Sequence, residues 1–194
     1  MKYIQEIKRK MIHLSSLWIP ILYIYIDQEL MLKLLITLSV IALMIDILRK
    51  IIIPLNNLVN VIIGDLMRED EKTASAFSGA TYLYISSALT IYLFSKEVAI
   101  FALFILMISD SFAALIGKKF GKVKLMDKSL EGSISFAFSA IVIYYILNIY
   151  FNFSLPLITY IFAILSGTIA ELFAKKIRLD DNFIIPLAIG FCLL

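Results

Sequence analysis

The chain has 194 residues, 61% of them hydrophobic, and a mean hydropathy of +0.94. A soluble core of this size needs less apolar surface, and apolar runs of about 18 or more residues recur, so the composition excludes a water-soluble globular domain in favour of a polytopic membrane protein. The net charge of +3 is small, and a single cysteine, Cys192, excludes a disulfide framework and a cysteine metal site.

Seven apolar segments follow one another: about Met11 to Ile26, Leu30 to Leu48, Ala76 to Phe94, Val98 to Ile116, Ile134 to Phe151, Leu155 to Ala174 and Phe183 to Leu194. The expected fold is therefore all-α, one transmembrane domain over residues 1–194 with about seven spans. The last segment is too short for a full crossing at about 1.5 Å per residue. The basic N-terminus resembles a signal peptide, but no small-residue cleavage pattern follows, so a retained first span is expected. Between the second and third spans, Ile51 to Met67 reads as an amphipathic surface helix, and Arg68 to Lys72 is a charge run.

Sixteen of the eighteen Lys and Arg residues fall in the N-terminal arm and in alternate connections; Lys33 and Lys96 are the exceptions. The positive-inside rule makes that side, and the N-terminus, cytoplasmic. Asp46 lies one turn before Arg49 and reads as its partner.

The stretch Ser109 to Ser133, SDSFAALIGKKFGKVKLMDKSLEGS, breaks the apolar pattern. Asp110 lies inside a span, where a carboxylate is costly and usually faces a polar cavity or a partner. Behind it come Gly117, Lys118, Lys119, Gly121, Lys122, Lys124, Lys128, Ser129, Glu131 and Gly132. Carboxylates for a divalent cation, ammonium groups for phosphates and glycines for close backbone approach suit a nucleotide site at a membrane surface. The segment does not fit the phosphate loop GxxxxGK[ST], because its glycines are too close and Val123 stands where the hydroxyl belongs. Glu71, Lys72, Thr81, Glu171, Asp180, Asp181 and Asn182 belong to the same side. His13 is the only histidine and sits at the membrane boundary, where a structural role is the default.

The Ser109–Ser133 stretch resembles the signature loop of the dolichol kinase and phytol kinase family, membrane enzymes that phosphorylate lipid alcohols with CTP. RKMIHLSS resembles the family's Arg-Lys-x-x-His entry, Glu71 with SGATYLY the segment before its third span, and DDNFIIP its C-terminal motif. The resemblance implies a CTP-dependent kinase in the inner or plasma membrane of a prokaryote, with a lipid alcohol as partner and no nucleic acid. It implies Asp110 as a ligand of Mg2+, Glu131 as a further Mg2+ ligand or as polar support of the nucleotide, and Lys118, Lys119, Lys122 and Lys128 as phosphate contacts. It also implies Gly117, Gly121 and Gly132 as points of close approach. Asp110, Glu71 and Asp181 are candidates for taking the acceptor proton. Phosphatidate cytidylyltransferases share a comparable core, but their further C-terminal signature is missing here. A membrane protein whose basic loop only sets topology is the non-enzymatic alternative.

Overall fold

The computed structural model describes residues 3–67, 69–73, 76–153 and 155–194. Lys2 and Arg68, counted above in the charge asymmetry, lie outside the described residues.

The chain is helical almost throughout. The first span begins earlier than its apolar run, as α1 (Tyr3–Ser15), and continues as α2 (Trp18–Tyr25) after a break at Ser16 and Leu17. Pro20 explains the break: it has no N–H to offer the Ser16 carbonyl, and its ring crowds that oxygen. Asp27 then starts α3 (Gln28–Ile51) by accepting the Leu30 N–H at 2.8 Å. The helix α4 (Ile53–Ile63) buries no residue and leaves Ile53, Leu58, Val61 and Ile62 exposed, as a helix lying on a lipid surface does. After the single turn α5 (Glu69–Lys72), Ser78 caps α6 (Gly79–Leu93).

The next span is the centre of the molecule. It runs as α7 (Lys96–Phe104), a π-turn over Ile105–Ser109 and α8 (Asp110–Phe120), one continuous rod of 25 residues. Ala99 to Leu103 and Ile105 to Met107 are fully buried, since this helix is apolar on every side and packed on every side. A two-residue hairpin, β1 (Lys124–Leu125) with β2 (Lys128–Ser129), turns the chain into α9 (Leu130–Phe151); α10 (Leu157–Phe173) and α11 (Asp181–Cys192) complete the bundle. Gln28–Ile51, Lys96–Phe120 and Leu130–Phe151 are each long and apolar enough to cross a membrane, and Ile53–Ile63, Leu157–Phe173 and Asp181–Cys192 are shorter apolar helices.

Contacts across the bundle define its two ends. At one, Lys96 Nζ donates to the Ile26 carbonyl at 2.9 Å and Phe94 meets Phe191 edge-on. At the other, Lys175 pairs with Asp127 and Lys128 with Glu171. The C-terminal helix, expected to be a partial or strongly sheltered span, reaches from Asp181 at this charged end to Gly190 against Phe94 at the opposite end. A Cβ on Gly190 would lie 2.1 Å from the buried Phe94 ring. Gly190→Ala should therefore destabilise the bundle by about 1–3 kcal/mol, seen as a lower Tm in detergent.

Candidate active site

The charged end is built around Asp110, which is 1% exposed at the first turn of α8. The π-turn before it widens the helix and loosens its main-chain pairing, a feature common at functional sites. Its carbonyls are used: Met107 accepts from Ser111 Oγ at 2.6 Å, and Leu106 from His13 Nε2 at 3.1 Å. Asp110 Oδ2 is ion-paired with Lys10 of α1 and lies 3.5 Å from His13 Nε2. Glu6, Lys10 and His13 recur every three to four residues, which puts them on one face of α1. Lys10, 3% exposed, faces the bundle interior.

The hairpin brings Lys128 to the same place. Its ammonium donates to Glu171 Oε1 of α10 at 2.5 Å and lies 3.5 Å from Asp181 Oδ2 of α11. Burial works against this charge, but Asp181, Glu171 and Asp110 together hold the lysine above its ordinary range. Lys118 reaches across to Glu6 at 3.2 Å, Arg9 lies 3.4 Å from the same carboxylate, and Lys175 pairs with Asp127 at 3.0 Å. These groups border a cavity of about 680 Å³, lined by six basic side chains (Arg9, Lys10, Lys118, Lys124, Lys128, Lys175) and five acidic ones (Glu6, Asp110, Asp127, Glu171, Asp181). Asp110 Oδ1 and Glu171 Oε2 are buried without a hydrogen-bond partner, a costly condition that a bound ligand would relieve.

The glycines serve a close helix crossing. A Cβ on Gly117 would lie 2.9 Å from Ser129 Oγ, and one on Gly132 would lie 2.8 Å from the Ala113 carbonyl oxygen. Gly121 is tighter still, 2.2 Å from the Gly117 carbonyl. Ser129 Oγ accepts the Gly132 N–H at 3.1 Å and so caps α9. All four residues also border the cavity.

Of the residues singled out in the sequence, Asp110, Lys118, Lys128 and Asp181 come together here. Lys119 and Lys122 lie outside the cavity, and the Lys119 ammonium rests over the Phe120 ring. Helix α8 continues through Gly117 to Phe120, so the stretch expected as a loop over 109–133 is helical at both ends and a short hairpin between. Glu131 is turned away: its Oε1 accepts the main-chain N–H groups of Lys122 and Val123 at 2.9 and 3.2 Å. It caps the loop and does not meet Asp110. Asp110 borders the cavity and Glu131 does not, and among the described residues no group of three or more His, Cys, Asp or Glu side chains is disposed to hold a metal ion. Glu131→Gln keeps an acceptor for both N–H groups, so its activity should stay within about fivefold of wild type. Loss of a metal ligand would instead lower the rate about 100-fold or more.

A second group lies behind α1. Asp46 pairs with Arg49 at 2.9 Å, as its spacing suggested, and accepts from Ser78 and Thr81. Glu71 Oε1 accepts the Gly79 N–H at 3.0 Å, and the Asn182 carbonyl accepts from Ser86 at 2.7 Å. Glu171, assigned to this side from the sequence, also borders the main cavity. Sequence reasoning missed Glu6, Arg9 and Lys10 as members of it; the available signal was their shared face of α1.

No family model matches the chain, and no solved structure matches it. The chain is 31% identical to an uncharacterized protein of Rickettsia prowazekii, over 97% of this chain and 92% of that one. It is also 31% identical to CTP-dependent diacylglycerol kinase 1 of Saccharomyces cerevisiae, over 93% of this chain and 70% of the yeast protein. The Schizosaccharomyces pombe protein of the same name is 34% identical over 41% of this chain and 37% of its own length. With an all-α membrane fold and a lysine-rich cavity around a buried aspartate, the chain belongs to the family of CTP-dependent lipid kinases represented by the Saccharomyces cerevisiae CTP-dependent diacylglycerol kinase 1.

Proposed function

We propose that the main cavity binds the triphosphate of CTP and that the protein transfers the γ-phosphoryl group to the hydroxyl of a lipid alcohol, diacylglycerol above all. The observation that carries this reading is the set of ammonium groups from α1, α8 and the hairpin, gathered around one buried carboxylate. Lys10, Lys118 and Lys128 are each held by a carboxylate, so they are positioned before any ligand arrives. Phosphoryl transfer asks little covalent chemistry of a protein and much positioning and charge neutralisation, which such a set supplies. As phosphates enter, the lysines exchange carboxylate for phosphate partners. No step is routed through Glu131.

Diacylglycerol is favoured among the lipid alcohols by the names of the two yeast relatives. The charge asymmetry supports a cytoplasmic position for this end, where CTP is available. Arg9, Lys10, Lys118, Lys124, Lys128 and Lys175 border the cavity at this end, and Lys33 and Lys96 do not.

The test offers γ-labelled and α-labelled CTP in parallel to the purified protein, in magnesium-containing buffer, with diacylglycerol, polyprenol, phytol and phosphatidate. Transfer of γ-label to diacylglycerol is the expected result. Transfer of α-label to phosphatidate would replace kinase by cytidylyltransferase, and no transfer of either would return the lysines to a topogenic role.

A further inference from the structure

A second cavity, of about 320 Å³, adjoins the first behind α1. Arg9, Lys10 and Asp181 border both cavities, so the two meet at the pair that holds Asp110. Their linings differ. Apart from those shared residues, the second cavity is bordered by apolar groups, among them Ile12, Trp18, Ile63, Leu66 and Leu83, together with His13, Glu71, Asn182 and the hydroxyl residues Ser15, Ser16 and Ser78. Its rim continues into exposed apolar side chains: Met11 and Ile12 are 61% and 50% exposed, and Ile62 and Ile63 at the end of α4 are 69% and 41% exposed. In a membrane protein such a rim opens to lipid, whereas the charged cavity is suited to a hydrated anion.

His13 stands at the inner end of this second cavity and does not border the first. Its Nε2 is 3.1 Å from the Leu106 carbonyl, which can only accept. In the neutral ring Nε2 therefore carries the proton, and Nδ1 is the basic nitrogen. No protein partner for Nδ1 is found among the described residues.

We propose that the second cavity is the acceptor site, taking the glycerol hydroxyl and the first carbons of diacylglycerol, and that His13 Nδ1 receives the hydroxyl proton. The acceptor oxygen forms a bond to the γ-phosphorus beside Lys10 and Asp181, and the bond from that phosphorus to the bridging oxygen breaks. CDP leaves with the electron pair, and the proton passes to Nδ1. The inference rests on the kinase reading above and adds the route and base of the acceptor.

Two variants of the full-length protein test it in mixed micelles of diacylglycerol and detergent, with γ-labelled CTP transfer and labelled-CTP binding measured together. Ala80→Trp, at the border of the second cavity, should raise the KM for diacylglycerol about tenfold or more. Its CTP binding should stay within about twofold of wild type. If tryptophan is not accommodated and CTP binding is lost, Ala80→Phe makes the same comparison with a smaller side chain. His13→Gln keeps an N–H for the Leu106 carbonyl but has no basic nitrogen. It should lower kcat about 100-fold or more at unchanged CTP binding. An unchanged KM for diacylglycerol in the Ala80 variant overturns the acceptor site, and near-normal kcat in His13→Gln overturns the base, with the kinase reading intact. A wild-type protein that labels no lipid alcohol overturns both.

Discussion

Asp110→Asn is expected to lower phosphoryl transfer about 100-fold or more and also to destabilise the protein. Asp110 and Lys10 are 1% and 3% exposed, so removing one charge strands the other away from water. Breaking a buried pair in this way costs about 3–5 kcal/mol. Thermal unfolding in detergent separates the two effects. In the double variant Lys10→Gln/Asp110→Asn, two neutral amides replace the ions and no buried charge is left alone, so much of the lost stability should return. Activity should not, because the cavity has lost both an ammonium group for phosphate and its central carboxylate. A double variant that recovers activity along with stability would make the pair purely structural.

Lys128→Met should weaken the CTP site strongly. Lys128 neutralises Glu171 and Asp181 directly and Asp110 at longer range. Without it, Glu171 loses its ion-pair partner and Asp181 a nearby ammonium, so this side of the cavity turns more negative towards an incoming triphosphate. The KM for CTP should rise about 10–100-fold, while the KM for the lipid stays close to wild type. The native environment also fixes the pH dependence of this group. Lys128 has its protonated form favoured by folding, so its contribution to stability is fully present below the ordinary lysine range and is lost only as pH rises past the higher native value. The KM for CTP should accordingly stay flat from pH 7 to about 9 as far as Lys128 determines it.

Much of the architecture was legible in hydropathy. Each of the seven apolar segments corresponds to a helix or a broken pair of helices, and Asp27, Ser78 and Ser129 are side chains of the type that caps them. Asp110 stood out because a carboxylate inside a span needs a partner. What hydropathy does not carry is helix phase. The π-turn at Ile105–Ser109 adds a residue to its turn, which rotates everything after it by about 100°. An unbroken 3.6-residue period read across this span therefore assigns the wrong faces to Lys118 and Lys119. Only Lys118 turns to the cavity.

Glu131 illustrates a different limit. A carboxylate at the start of a helix is equally suited to a metal and to nearby main-chain N–H groups, and only the path of the hairpin shows that the Lys122 and Val123 N–H groups reach it. Lys10 illustrates a third: its partner lies a hundred residues along the chain. In isolation, the basic N-terminal arm reads as a topology signal. The fold makes α1 a wall between two cavities.

The most direct test of the donor site is equilibrium binding of labelled CTP to the purified full-length protein, comparing wild type with Lys128→Met. Saturable binding by wild type, weakened about tenfold or more in the variant, is the result predicted for a triphosphate held by the hairpin lysine. Equal binding by the two proteins, or none by wild type, would contradict the assignment of the lysine-lined cavity to CTP.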